Sequence, residues 1–292
     1  MVVYALLAAL VVLGIVYVVA LVRAASANGA LRPSLEAVGL GAVTNFFDTL
    51  GIGSYAPTTA WLRLRKLAPD SFIPTILNAG HGLPTVVQAL IFINLVRVDP
   101  WLLVGCIGAA VAGAIVGAPI VVRLPVRAVQ GVMGIALLIA SALYAVTNLG
   151  LMPGGGVALA LPPSLFAAAV AAYFIMGALM TAGIGLYGPS LIMLSLMGLD
   201  PKAAFPLMMG ACAFLMPVSG LSFVRSSRID LRVVIGITLG GIPAVLLAAL
   251  VVKSLPLAAL RWGVVVVVLY AAVMLLLSAF KTPIAEPASV AV

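Results

Sequence analysis

The chain has 292 residues, of which 65% are hydrophobic and 8% charged, with a mean hydropathy of +1.33. A soluble domain of this size cannot hide so much apolar surface, which excludes a water-soluble enzyme or binding module. The net charge of +8 does not point to nucleic acid, because the 15 Lys and Arg stand singly or in small groups between apolar runs, where they suit topology and anionic lipid head groups.

Apolar segments fall at 2–22, 34–62, 72–96, 100–122, 126–148, 163–198, 203–224, 231–252 and 256–279. Most match the ~20 residues that cross a hydrocarbon core. The first, from Met1 to Leu21, has no preceding positive charge and is long for a signal peptide, so it reads as a retained span within an N-terminal region 1–33. Segments 34–62 and 163–198 are too long for one straight helix. Each is broken by glycines and a proline, at Asp48-Thr49-Leu50-Gly51-Ile52-Gly53-Ser54-Tyr55-Ala56-Pro57 and at Met180-Thr181-Ala182-Gly183-Ile184-Gly185-Leu186-Tyr187-Gly188-Pro189. The uncharged loop 149–162 lies between the two halves.

The two broken segments match at an offset of 132: Thr49, Gly51, Ile52, Gly53, Tyr55 and Pro57 pair with Thr181, Gly183, Ile184, Gly185, Tyr187 and Pro189. Pro74 pairs with Pro206, and at an offset of 131 Arg97 and Asp99 pair with Arg228 and Asp230, and Leu124-Pro125 with Leu255-Pro256. This is an internal repeat, with 34–148 as the first unit and 163–280 as the second. If both broken segments cross the membrane, Lys and Arg divide 7 against 8 between the faces and choose no orientation. If both are re-entrant hairpins, Arg23, Arg32, Arg63, Arg65, Lys66, Arg123, Arg127, Arg225, Arg228, Arg232 and Lys281 share one face and Arg97, Lys202, Lys253 and Arg261 the other, 11 against 4. The repeats are then inverted, as in many secondary transporters. The expected fold is an all-α polytopic membrane protein: two inverted repeats, each a glycine-broken re-entrant hairpin plus about three transmembrane helices, and an extra N-terminal helix.

A helix break at membrane depth is tolerated only inside protein or against a wet cavity. After each break a half-helix should start, with Pro57 and Pro189 in its first turn and Ser54 as a candidate N-cap. Two such N-termini, facing each other, would offer free N–H groups and positive dipole ends to one anion. The candidate binding residues are Thr49, Gly51, Gly53, Ser54, Tyr55, Asn78, His81, Thr181, Gly183, Gly185 and Tyr187; the bland alternative is that the glycines only permit close helix packing. Asp48 and His81 are the candidates for proton coupling, against the alternative that each is a hydrogen-bonded structural residue. Asp48 has no acidic counterpart, since Met180 takes its place in the second repeat. Asn78, Thr85 and Gln88 share a helical face with His81, and Asn45 is a weaker candidate of the same kind. Cys106 and Cys212 each sit in an apolar run and read as inert buried thiols. No metal site, cofactor motif or catalytic signature stands out.

The duplicated Gly-Ile-Gly break, the repeat of about 130 residues and the Leu-Pro before each repeat's last span resemble the TauE/SafE sulfite exporter family over roughly 34–279. The family's motif is closer to Gly-Ile-Gly-Gly-Gly, whereas this chain has Gly51-Ile52-Gly53-Ser54-Tyr55 and Gly183-Ile184-Gly185-Leu186-Tyr187, which leaves the substrate open. The resemblance implies a secondary carrier, not an enzyme, that exports sulfite or an organosulfonate such as sulfoacetate across a bacterial plasma membrane by alternating access. The partners expected are a small anion, the lipid bilayer and a proton as candidate coupling ion. The other classes are an anion or solute channel and a membrane-embedded non-transport protein using His81 or Cys106.

Overall fold

The computed structural model describes residues 2–121, 156–181, 183–224, 229–254 and 257–280, with scattered positions between 131 and 149. Most of the span expected over 126–148, both Leu-Pro pairs, and Arg123, Arg127, Arg225, Arg228 and Lys281 lie outside the described residues. The described elements are α1 (Val2–Ala27), α2 (Leu35–Thr49), α3 (Tyr55–Leu64), a 3-10 turn (Asp70–Phe72), α4 (Ile73–Leu95), α5 (Pro100–Val121), α6 (Pro163–Met180), α7 (Tyr187–Leu196), α8 (Pro201–Phe223), α9 (Leu231–Ser254) and α10 (Leu257–Phe280). The protein is all-α and polytopic. Five of the described helices, α1, α4, α6, α8 and α9, are long and apolar enough to cross a bilayer.

α4 and α8 pack against each other and form the centre, with most of each helix buried. Around them α2 packs on α9 and α5 on α6, while α4 also meets α9 and α8 also meets α5. These pairs exchange with one another when α2, α4 and α5 are matched with α6, α8 and α9. Glycine makes the two outer pairs close. A Cβ on Gly41 would strike the Ile237 backbone and one on Gly240 the Val38 carbonyl; one on Gly113 would strike the Phe174 carbonyl and one on Gly177 the Ala110 carbonyl. Where lipid competes for apolar contact, such backbone approach is what holds helices together.

Both broken segments are hairpins whose ends are tied. The Arg65 Nε, just after α3, donates to the Glu36 carboxylate at the start of α2 (2.7 Å), and the Trp61 Nε1 donates to the same oxygen (3.1 Å). In the second segment the lead-in to α6 pairs with the residues after α7: Ala158 N–H donates to the Gly198 carbonyl (3.3 Å) and Asp200 N–H to the Ala158 carbonyl (2.8 Å). α6 has the length of a span, yet the chain returns beside its own entrance. The lead-ins also touch the other unit. Ser34 N–H donates to Arg232 O (3.2 Å) and Asp99 N–H to Leu159 O (2.8 Å).

α1 stands outside this arrangement and shows Val11, Val12, Ile15 and Val19 outward. Its buried Tyr17 fixes it, donating to the Ala79 carbonyl of α4 (2.7 Å). Pro84 has no N–H, so the Gly80 carbonyl loses its helical partner. Thr238 of α9 supplies one instead (2.9 Å).

Gly177→Ala should force α5 and α6 apart and lower stability by about 1–3 kcal/mol in mixed-micelle unfolding. Gly108→Ala, where an added Cβ meets open space, should leave stability unchanged.

Candidate functional site

α2 and α6 end in the same way. Gly51 N–H donates to the Asp48 carbonyl (2.9 Å) and Ile52 N–H to the Phe47 carbonyl (3.1 Å); Gly183 N–H donates to Met180 O (3.0 Å) and Ile184 N–H to Leu179 O (3.3 Å). Both are Schellman closures, which need a left-handed residue after the helix. Gly51 (φ 92°) and Gly183 (φ 85°) fill that place, and Gly53 is also left-handed (φ 85°). Gly185 does not have a left-handed φ, and an added Cβ would stand 3.5 Å from the Tyr55 Cβ, ordinary contact. Its counterpart Gly53 faces the Tyr187 Cβ at 3.8 Å. The tips of the two hairpins therefore meet, each glycine opposite the other tip's tyrosine.

Tyr55 and Tyr187 begin the two half-helices, with Pro57 and Pro189 in the first turns. Ser54 occupies the N-cap position of α3, but its side chain does not cap the helix. Its hydroxyl and backbone N–H turn to the Asp48 carboxylate instead.

Asp48 is buried among donors. Gln88 Nε2 donates to its Oδ2 (2.9 Å) and lies equally close to Thr49 Oγ1 (2.9 Å); Tyr187 OH donates to Gln88 Oε1 (2.7 Å). Asp48 thus links the start of α3 to the start of α7. In the second repeat this place holds Met180, whose sulfur meets Cys212 Sγ at 3.6 Å.

The remaining predicted residues divide. Asn45 donates from Nδ2 to Gly41 O (2.8 Å), which leaves Oδ1 to accept from His81 Nδ1 (3.0 Å). Thr58 Oγ1 lies 3.0 Å from His81 Nε2, so with Nδ1 protonated the neutral ring accepts the Thr58 hydrogen. Both ring nitrogens are occupied, which favours a structural His81. Thr49 donates to its own helix at Asn45 O, and Thr181 to Ala178 O. Asn78 uses its Nδ2 on Pro74 O (2.9 Å) and leaves Oδ1 buried without a hydrogen bond.

The Tyr55 hydroxyl is also buried without a hydrogen bond. The repeat supplies a reason. At the offset of 132, Tyr187 is equivalent to Tyr55, and its partner Gln88 is equivalent to Gly220. The Tyr17 ring of α1 fills the space beside Gly220, 2.7 Å from where a Cβ would stand. No amide can reach Tyr55 from there. Its hydroxyl lies in the same buried centre as Asp48 and Cys212.

Residues 165–291 match the family model for the sulfite exporter TauE/SafE, a stretch that begins in α6 and contains the whole second break. No curated protein and no solved structure matches the chain.

The glycine conformations give an ordered expectation. Gly53→Ala and Gly183→Ala should each cost about 1–2 kcal/mol of stability through left-handed strain. Gly185→Ala should fall within about 0.5 kcal/mol of the unaltered protein in the same unfolding assay.

Proposed function

We propose that the whole chain is a secondary transporter of the TauE/SafE type that exports a small sulfur-containing anion, sulfite or an organosulfonate such as sulfoacetate, from a bacterial cytoplasm. The observation that carries this reading is the meeting of two half-helix N-termini at buried hairpin tips, in a chain whose second half matches a sulfite-exporter family. Positive helix ends and unpaired N–H groups there suit an anion, and the unpartnered Tyr55 hydroxyl can donate to one.

The tied hairpin ends favour re-entrant segments over full crossings. α2 rises roughly 22 Å and α3 roughly 15 Å, enough to enter a ~30 Å core and return. Ser34 meets Arg232 at the entrance of the first hairpin, and Leu159 meets Asp99 at that of the second. α4 starts near the first group and ends near the second, so the hairpins enter from opposite faces in this reading. This is the inverted arrangement of a 34–148 unit and a 163–280 unit. Alternating access then follows from rocking one unit against the other around the tips, with α4 and α8 at the pivot. Dense packing of these central helices supports a carrier that opens by movement rather than a standing channel.

The test is a thermal-stability screen of the detergent-purified protein with sulfite, sulfate, thiosulfate, sulfoacetate, taurine, acetate and chloride, followed by flux in liposomes. A ligand bound only by the folded state stabilises by RT ln(1 + [L]/Kd), or ~2.7 kcal/mol at a hundred times Kd. A saturable shift with a sulfonate or sulfite, weakened in Gly53→Ala, and saturable flux of the same anion are expected. Unsaturated flux would point to a channel, and neither shift nor flux with any anion would overturn the reading.

A further inference from the structure

The strongest unexplained feature is a carboxylate where an anion site should be. Asp48 is held by the Ser54 N–H and hydroxyl at the start of α3 and by Gln88 of α4, which in turn accepts from Tyr187, the first residue of α7. These donors converge from both half-helix starts. A second anion brought to the same place would have to take the same hydrogen bonds and sit against a like charge in a medium where charges are weakly screened.

We propose that Asp48 is a resident stand-in for the transported anion, so that the anion and the ionised carboxylate exclude each other and loading requires Asp48 to be protonated. This deepens the anion-carrier reading and rests on it. The arrangement supports it in three ways. Asp48 has no acidic counterpart, so its charge is not part of the duplicated scaffold; Met180 stands there. Tyr55 keeps a buried hydroxyl without a partner beside the same centre, so donor capacity remains for a ligand after Asp48 is satisfied. The groups facing Asp48 from the packed elements are Ser54 and Tyr55 of the first tip, Gln88 of α4, Tyr187 of α7 and Cys212 of α8. No Lys, Arg or His acts on it among the described residues. His81 is held apart by Asn45 and Thr58.

The charge balance closes over a cycle. The empty carrier crosses with Asp48 ionised, one negative charge at the tips. The loaded carrier crosses with Asp48 neutral and a monoanion bound, again one negative charge. One proton moves with one monoanion and no net charge is transferred, so flux follows the anion and proton gradients rather than the membrane voltage. Both forms satisfy the same donors, so the buried negative charge is hydrogen-bonded alike in either conformational step.

The direction of the pH effect follows. Raising pH ionises Asp48, fills the donors with its own oxygens and weakens anion binding. The probes are methanesulfonate and ethanesulfonate, monoanions whose own charge does not change in the range used. Binding by thermal shift and saturable uptake into liposomes are measured at about pH 6 and pH 8, for the full chain and for Asp48→Asn. The asparagine has the shape of the protonated acid and cannot ionise. Required uptake of one proton predicts an affinity that falls by at most tenfold per pH unit, up to ~100-fold over the range. Asp48→Asn should bind with less than about twofold change between the two pH values and transport without moving protons, which a pH-sensitive dye inside the liposomes reads directly. A full chain whose anion affinity is unchanged between the two pH values overturns the inference whether or not the variant folds. So does a folded Asp48→Asn that no longer binds, because Asp48 would then be a required contact rather than a competitor. If neither anion, nor any of the seven in the screen, shifts or crosses with either protein, the carrier reading itself fails and takes the inference with it.

Discussion

Everything distinctive about this fold follows from breaking two helices where there is no water to solvate the broken ends. In hydrocarbon each exposed carbonyl or N–H is expensive, so a helix can stop only if its last carbonyls are closed internally and its successor starts inside protein. The two Schellman closures at Gly51 and Gly183 do the first. Meeting of the two tips does the second, with Gly53 against Tyr187 and Gly185 against Tyr55. Each hairpin provides the protein interior that the other needs. The close glycine packing of α2 on α9 and of α6 on α5 holds the hairpins in place, so the break and the packing are one requirement.

Within that symmetric frame the chemistry is one-sided. The first half carries Asn45, Asp48, Thr58, His81 and Gln88, and the second half answers with Gly177, Met180, Ser190, Ala213 and Gly220 at the same offset. Tyr187 closes the Asp48 cluster from the second half, while Tyr55 is left unpartnered because Tyr17 of α1 fills its partner's place. α1, which belongs to neither repeat, thereby shapes the centre.

Much of this was legible in the sequence. Composition required a membrane protein, and the match of Thr49-x-Gly51-Ile52-Gly53-x-Tyr55 with Thr181-x-Gly183-Ile184-Gly185-x-Tyr187 located both breaks. Pro57 and Pro189 fell in the first turns of the half-helices, as their missing N–H groups suggested. What was not legible depends on which tertiary neighbour wins a hydrogen bond. Ser54 sits at an N-cap, yet its hydroxyl goes to Asp48. Gly185 repeats Gly53 in sequence but not in φ. Gln88 was visible as one of several polar residues on the His81 face, but that face divides, Gln88 joining Asp48 and His81 joining Asn45 and Thr58. Tyr17 gave no signal at all, since an aromatic in an apolar span reads as lipid-facing until its carbonyl acceptor, Ala79, is known.

Accessibility of single cysteines to a membrane-impermeant thiol reagent tests most directly whether the two hairpins enter from opposite faces and meet midway. The native Cys106 and Cys212 are buried and give little background. Cysteines placed at the exposed positions Arg32 and Arg65 should label from one face only, and cysteines at the exposed Ala158 and Leu159 from the opposite face only. Labelling of Arg32→Cys and Arg65→Cys from different faces would mean that the first segment crosses the membrane, and labelling of all four from one face would mean that the units are parallel; either result contradicts the account.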